Sequence, residues 1–207
     1  MILRLPRFRI LLFMNDDAFL AFWRAHYGDC PPAGFLLLET FPERWLRIHS
    51  LPDSTRYADT ARELSALLAR HNTVASDLLG DGSPCVLVTK AEYNPRVGRV
   101  ARGRVQFARL QLEPLVVVNA NNPTDTGGGW SIPLVSTRLE WQPGVLDDIL
   151  ADVANALLGP FLIVSETTGR VYAPYDGGAD LFLKSESERD EFKRKYEPWL
   201  SSHPSGL

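Results

Sequence analysis

Cysteine and histidine are scarce in this chain: 207 residues include two cysteines, Cys30 and Cys85, and four histidines, His26, His49, His71 and His203. The cysteines lie far apart and form no Cys-x-x-Cys pair. That excludes a secreted-type disulfide framework and fits two inert thiols in a reducing cytoplasm. No two histidines stand at His-x-His or His-x-x-x-His spacing, and neither cysteine joins one in a ligand pair, so no metal site is predicted. Cationic excess is missing as well. With 22 Lys and Arg against 25 Asp and Glu, the formal charge is −3, which provides no global field for collecting polyanions and disfavours nucleic acid as a general partner.

Long apolar runs are also absent. Arg4, Arg7 and Arg9 precede an apolar stretch from Ile10 to Met14, but Asn15-Asp16-Asp17 ends it and no small-residue cleavage site follows. Five apolar residues are far too few to span a bilayer. Residues 1–13 therefore read as an N-terminal extension, with Met14 a candidate start, and residues 14–207 as a single α+β domain of the cytoplasm. The nucleophile elbow Gly-x-Ser-x-Gly and the dinucleotide Gly-x-Gly-x-x-Gly are missing, and no cofactor is implied. Gly127-Gly128-Gly129, in the turn-rich stretch Asn119 to Trp130, lacks a phosphate-loop lysine and reads as a surface loop.

What the chain does have is clear periodicity. Apolar residues at three- and four-residue spacings predict helices over Asp17 to Tyr27, over Thr60 to Leu79, and from Pro143 to Gly159. Phe35 to Glu39 and Arg44 to His49 read as two strands joined through Thr40-Phe41-Pro42-Glu43. In the second of these, Leu46 and Ile48 alternate with Trp45, Arg47 and His49, which share the opposite face. Cys85 to Thr89, Arg104 to Leu112, Leu115 to Asn119 and Ser131 to Trp141 are strand-like. Phe161 onward reads as three strands and a helix, with Asp176-Gly177-Gly178 the tight connection between the second and third and glycine supplying the positive φ angles. The expected architecture is α+β, a mostly antiparallel central sheet with about four packed helices.

Three groups of residues could carry chemistry. His49 is the best placed for general acid or base work, with Asp53 following in the turn and Arg47 beside it. The bland reading, that His49 and Asp53 only satisfy the turn, has the stronger warrant, because strand-end polar clusters commonly hydrogen-bond nearby backbone. From Lys90 to Arg109 the chain carries six cations, Lys90, Arg96, Arg99, Arg102, Arg104 and Arg109, against Glu92 alone. The five arginines form a candidate binding face for an acidic partner, unless they pair with Asp147, Asp148 and Asp152. Asp176 and Asp180 are spaced like metal-loop carboxylates but lack the alternating oxygen ligands of a calcium loop, so no metal is assigned.

The segments Arg44 to Asn72 and Val171 to Leu207 resemble an uncharacterised bacterial domain family of unknown function. The likeness is carried by Tyr175-Asp176-x-Gly178 followed by a helix and Tyr196-x-x-Trp199, and it implies no reaction. The Thr-Gly-Arg-Val-Tyr strand, the strand after it and the closing Asp190 to Leu200 helix are similar to the end of SUKH-type immunity proteins. That second resemblance implies a cytoplasmic protein-binding role in which the partner is a bacterial toxin. The alternative expectation is a hydrolase or nucleotide-acting enzyme using His49, Asp53 and Arg47 beside the arginines.

Overall fold

A computed structural model describes residues 14–52, 55–94, 99–101, 110–120 and 130–200, with 92–94, 99–101, 119, 120 and 130 as backbone only. Residues 1–13, Asp53, Arg96, Arg102, Arg104, Arg109 and the Gly127–Gly129 stretch lie outside the described residues, as do the side chain of Arg99 and most of the expected strand from Arg104 to Leu112.

The chain order is α1 (Asp16–Tyr27), α2 (Gly34–Thr40), β1 (Trp45–His49), α3 (Ala61–Leu79), β2 (Pro84–Lys90), β3 (Glu92–Asn94), β4 (Arg99–Ala101), β5 (Glu113–Ala120), β6 (Trp130–Glu140), α4 (Asp147–Ala154), β7 (Phe161–Ser165), β8 (Val171–Tyr175), β9 (Gly178–Phe182) and α5 (Glu186–Lys195). Seven strands form one sheet in the order β1-β9-β8-β7-β2-β6-β5, with every pair antiparallel; β3 and β4 make a separate two-stranded ribbon. The α+β architecture is as the sequence implies, with five α-helices among the described residues.

Local chemistry sets most helix ends. Asn15 caps α1 by accepting from the Ala18 amide, and Thr60 and Glu63 form a reciprocal capping box at α3. Ser185 caps α5 by accepting from the Glu188 amide. Two expectations are corrected. Phe35 to Glu39 is not a strand but the core of α2: its Leu-Leu-Leu-Glu run has no β-branched residue, and a short apolar run does not distinguish helix from strand by periodicity. The helix expected from Pro143 to Gly159 is confined to Asp147–Ala154, because Gly144 (φ 86°) before it and Ala156 (φ 55°) beyond it leave the right-handed helical region; Val145 and Leu157, outside the helix, are each 49% exposed.

Side chains alternate across the sheet into two cores. Leu46, Ile48, Cys85, Leu87, Ile163 and Leu181 pack with α3, α4 and Tyr196 on one face. Val86, Val88, Leu162, Val164, Ala173 and Phe182 pack with α1 and α2 on the other. Coverage of the two faces is unequal. The α3/α4 face carries helices of 19 and 8 residues, the α1/α2 face helices of 12 and 7, and the seven residues of α2 span only about 10 Å. The α1/α2 face is left partly open at the end where β2 and β8 finish.

Tyr196 and Trp199 join the core on the α3/α4 face of the sheet and also tie the C-terminal segment to α3. The Tyr196 hydroxyl donates to Asp77, and the Arg70 guanidinium lies 5.0 Å from the Trp199 ring centroid.

Candidate functional site

The open end of the α1/α2 face is a cleft of about 980 Å³. Val88, Ile132, Leu134, Leu162 and Ala173 give it an apolar floor, Gly34, Phe35 and Leu38 of α2 form the roof, and Leu158-Gly159-Pro160 closes one end. Polar side chains enter from the strand ends: Arg47, Asp180, Tyr175 and Lys90. Its volume and apolar lining, with few polar groups, are those of a ligand or side-chain binding site.

Arg47 is placed there by register. It sits directly opposite Asp180 in the β1–β9 pair, so both side chains leave the same face of the sheet. The guanidinium donates to the carboxylate twice, Nε to Oδ1 at 2.7 Å and Nη2 to Oδ2 at 3.0 Å, and Trp45 Nε1 donates to Oδ1 at 2.8 Å. Two aromatic rings flank the cation, Tyr175 at 4.7 Å and Trp45 at 5.2 Å. Burial pushes the Tyr175 phenol up to about 12, so it is a neutral donor at physiological pH. With side chains only 18% and 13% exposed, Arg47 and Asp180 depend on each other. Asp180→Leu is expected to cost about 2 kcal/mol through the unpaired guanidinium, and the double variant R47M/D180L to recover most of it. Urea denaturation of Arg47→Met, Asp180→Leu and the double variant measures the coupling.

The sequence grouping of Arg47, His49 and Asp53 is only partly brought together. Arg47 and His49 share one face of β1, Arg47 is held by Asp180, and Asp53 lies outside the described residues. His49 does not line the cleft. Its Nε2 is buried with no hydrogen-bond partner among the described residues, and burial, together with the Arg47 and Arg70 cations, lowers its pKa. The two aspartates of the metal-loop comparison each hold an arginine instead. Asp180 holds Arg47, while Asp176 accepts from Arg56 Nη2 at 3.0 Å and Tyr57 at 3.3 Å. No group of three or more His, Cys, Asp and Glu among the described residues could hold a metal ion, and no described helix is long and apolar enough to cross a membrane. Both cysteines are free, and burial pushes the Cys85 thiol up to about 12.

A second polar group escaped the sequence reading. His71 of α3 bonds Ser50 Oγ through Nε2 at 2.8 Å and the Tyr172 hydroxyl through Nδ1. The three residues are at most 1% exposed. Although Ser50, His71 and the Tyr172 hydroxyl form a bonded chain, no substrate atom can reach Ser50 Oγ while α3 is packed, and desolvation lowers the His71 pKa to about 4. Its sequence signal is its place on the buried stripe Leu67, His71, Val74, Ala75 and Leu78.

The fold and cleft define an α+β domain built on one antiparallel sheet, with a partly apolar cleft open on the less covered face. The chain belongs to the family described as Domain of unknown function (DUF3885), whose model matches residues 33–204. That stretch contains every cleft residue named above, and α1 precedes it. No curated protein and no solved structure matches the chain.

Proposed function

We propose that this is a cytoplasmic protein-binding protein of the immunity type, which neutralises a bacterial toxin by seating a segment of it against the cleft side of the sheet. The observation that carries the reading is the continuity of that side. Tyr175 and Leu158-Gly159-Pro160 line both the cleft and a second hollow of about 430 Å³, which is also bordered by Leu157 and Asp176. Asp176 in turn holds Tyr57. Of the five exposed large apolar side chains among the described residues, Phe35 and Leu157 (49% each) and Tyr57 (44%) therefore border one surface with two connected concavities. Aromatic and apolar anchors around a hollow, with charged groups at the rim, are the anatomy of a protein interface. The likeness of the closing strands and helix to SUKH-type immunity proteins points the same way, and two free thiols suit a reducing compartment. A hydrolase or nucleotide-acting role through Arg47, His49 and Asp53 has less behind it, since Arg47 is engaged by Asp180 and His49 is a weakened base outside the cleft.

Tagged protein isolated from its native host is expected to retain one partner in stoichiometric amount, and that partner to be toxic when produced alone and tolerated when co-produced with this chain. Phe35→Asp and Leu157→Asp change exposed positions, so melting temperatures should hold. Partner affinity should fall at least about tenfold for each, as expected of anchor residues. Failure to recover any partner, or neutralisation undiminished in both variants, would sink the proposal.

A further inference from the structure

We infer that the cleft selects an acidic, apolar segment of the partner, with an apolar side chain on the floor and a carboxylate reaching Lys90 and the free edge of Arg47. This rests on the reading of the cleft side as a protein-binding surface and names the chemistry that surface takes.

The charge inventory of the cleft carries the inference. Among the described residues, three that line the cleft are ionised at neutral pH: Arg47, Lys90 and Asp180. The single carboxylate is already engaged, because Oδ1 accepts from Arg47 Nε and Trp45 Nε1 and Oδ2 accepts from Arg47 Nη2. A carboxylate so engaged offers little to a cationic ligand. The cations are less committed. A guanidinium has five N–H donors, and Asp180 takes two of those on Arg47, leaving the Nη1 edge. Lys90 is exposed at the end of β2 and has no ion pair among the described residues. Donors therefore exceed acceptors, and the complementary ligand group is a carboxylate.

Two features make the site more than a net charge. Bidentate pairing with Asp180 and the flanking Tyr175 and Trp45 rings fix the guanidinium, so little side-chain entropy is lost when its remaining edge is used. Ala173 on β8 and Leu162 on β7 form the stretch of apolar floor between Arg47 on β1 and Lys90 on β2, so an apolar group between acidic ones meets both. A lysine-rich segment would face two cations and, among the described residues, no free carboxylate.

The test uses two fluorescein-labelled peptides with the same central Phe-Leu pair, one flanked by aspartates and the other by lysines, titrated against the full chain by fluorescence anisotropy. The aspartate peptide is expected to bind at least roughly tenfold tighter than the lysine peptide, with an advantage that shrinks as salt rises and is abolished by Lys90→Glu. Equal binding, tighter binding of the lysine peptide, or no binding of either overturns the inference. An aspartate preference that survives Lys90→Glu also overturns it, because the selectivity then lies elsewhere on the chain. If the whole protein still captures a partner that Phe35→Asp loses, any of these results removes only the charge selection and leaves the binding role standing. Loss of partner capture as well removes both.

Discussion

His71→Ala is expected to lower the unfolding free energy by about 4 kcal/mol at pH 7.5, one of the two largest single-residue effects in the domain. The substitution opens a cavity in a packed face and strands two hydroxyls, Ser50 and Tyr172, that have no exposure to water. The triple variant S50A/H71L/Y172F should recover much of the loss, because removing every member of a buried polar group costs far less than orphaning some of them. Guanidinium denaturation of wild type, single and triple variants measures both.

The same residue sets an acid limit. Folded His71 protonates near pH 4, and the unfolded histidine near 6.5. Between those values the unfolded chain binds more protons, so stability falls as pH falls. The contribution is complete above about 6.5 and is lost progressively as pH drops through about 4, amounting to roughly 3 kcal/mol. The triple variant keeps every other side chain that titrates below neutral pH, so the difference between its acid-side stability–pH curve and that of wild type isolates this residue. Parallel curves would show that His71 does not carry the effect.

Gly178→Ala is the second. A Cβ at Gly178 would lie 1.9 Å from the Ile48 carbonyl oxygen, which belongs to the backbone of a paired strand and cannot turn aside. We expect a loss on the order of 4 kcal/mol, with β1 separating from β9. Gly177→Ala is the control. Its Cβ would meet the side chains of Tyr175, at 3.0 Å, and Arg56, at 3.7 Å, but no backbone atom, and the backbone there is not left-handed, so the cost should stay near or below about 1 kcal/mol. Equal effects at the two positions would show that turn geometry, not strand approach, dictates the glycine. Hydrogen exchange of the β1 amides in a partly folded Gly178 variant would locate the damage.

That pair of glycines shows where sequence reasoning stopped. The connection between β8 and β9 lies where the sequence implies it but is one residue shorter than the expected Asp176-Gly177-Gly178: it is Asp176-Gly177, with Gly178 already in β9 and paired with Tyr175. The reason for glycine is different from the one expected: neither Gly177 nor Gly178 has a positive φ. Gly178 is required because a strand more than a hundred residues earlier in the chain packs against it. Conformation within a turn can be argued from neighbours in sequence, but the approach of a distant strand cannot. α2 shows the complementary difficulty, since a seven-residue apolar segment carries too little periodicity to separate helix from strand.

The candidate site divides along the same line. Arg47, Trp45 and His49 were legible as one face of a strand because alternation is local. Asp180 was legible as a carboxylate but not as the partner of Arg47, since that depends on the register of β1 on β9. His71 stood on a buried helical stripe, but its hydroxyl partners come from the end of β1 and the middle of β8.

The sequence by itself determined the elements that rest on nearby residues: capped helices at Asn15, Thr60 and Ser185, alternating strands, the place of the β8–β9 connection and the α+β class. Only the tertiary structure decided the strand order, the unequal cover of the two faces, the cleft that this leaves and the charges that line it. Caps, periodicity and turns are settled within a few residues of chain. A cleft is made by segments far apart in sequence, and its position follows from which strands pair and how far a short helix reaches across them.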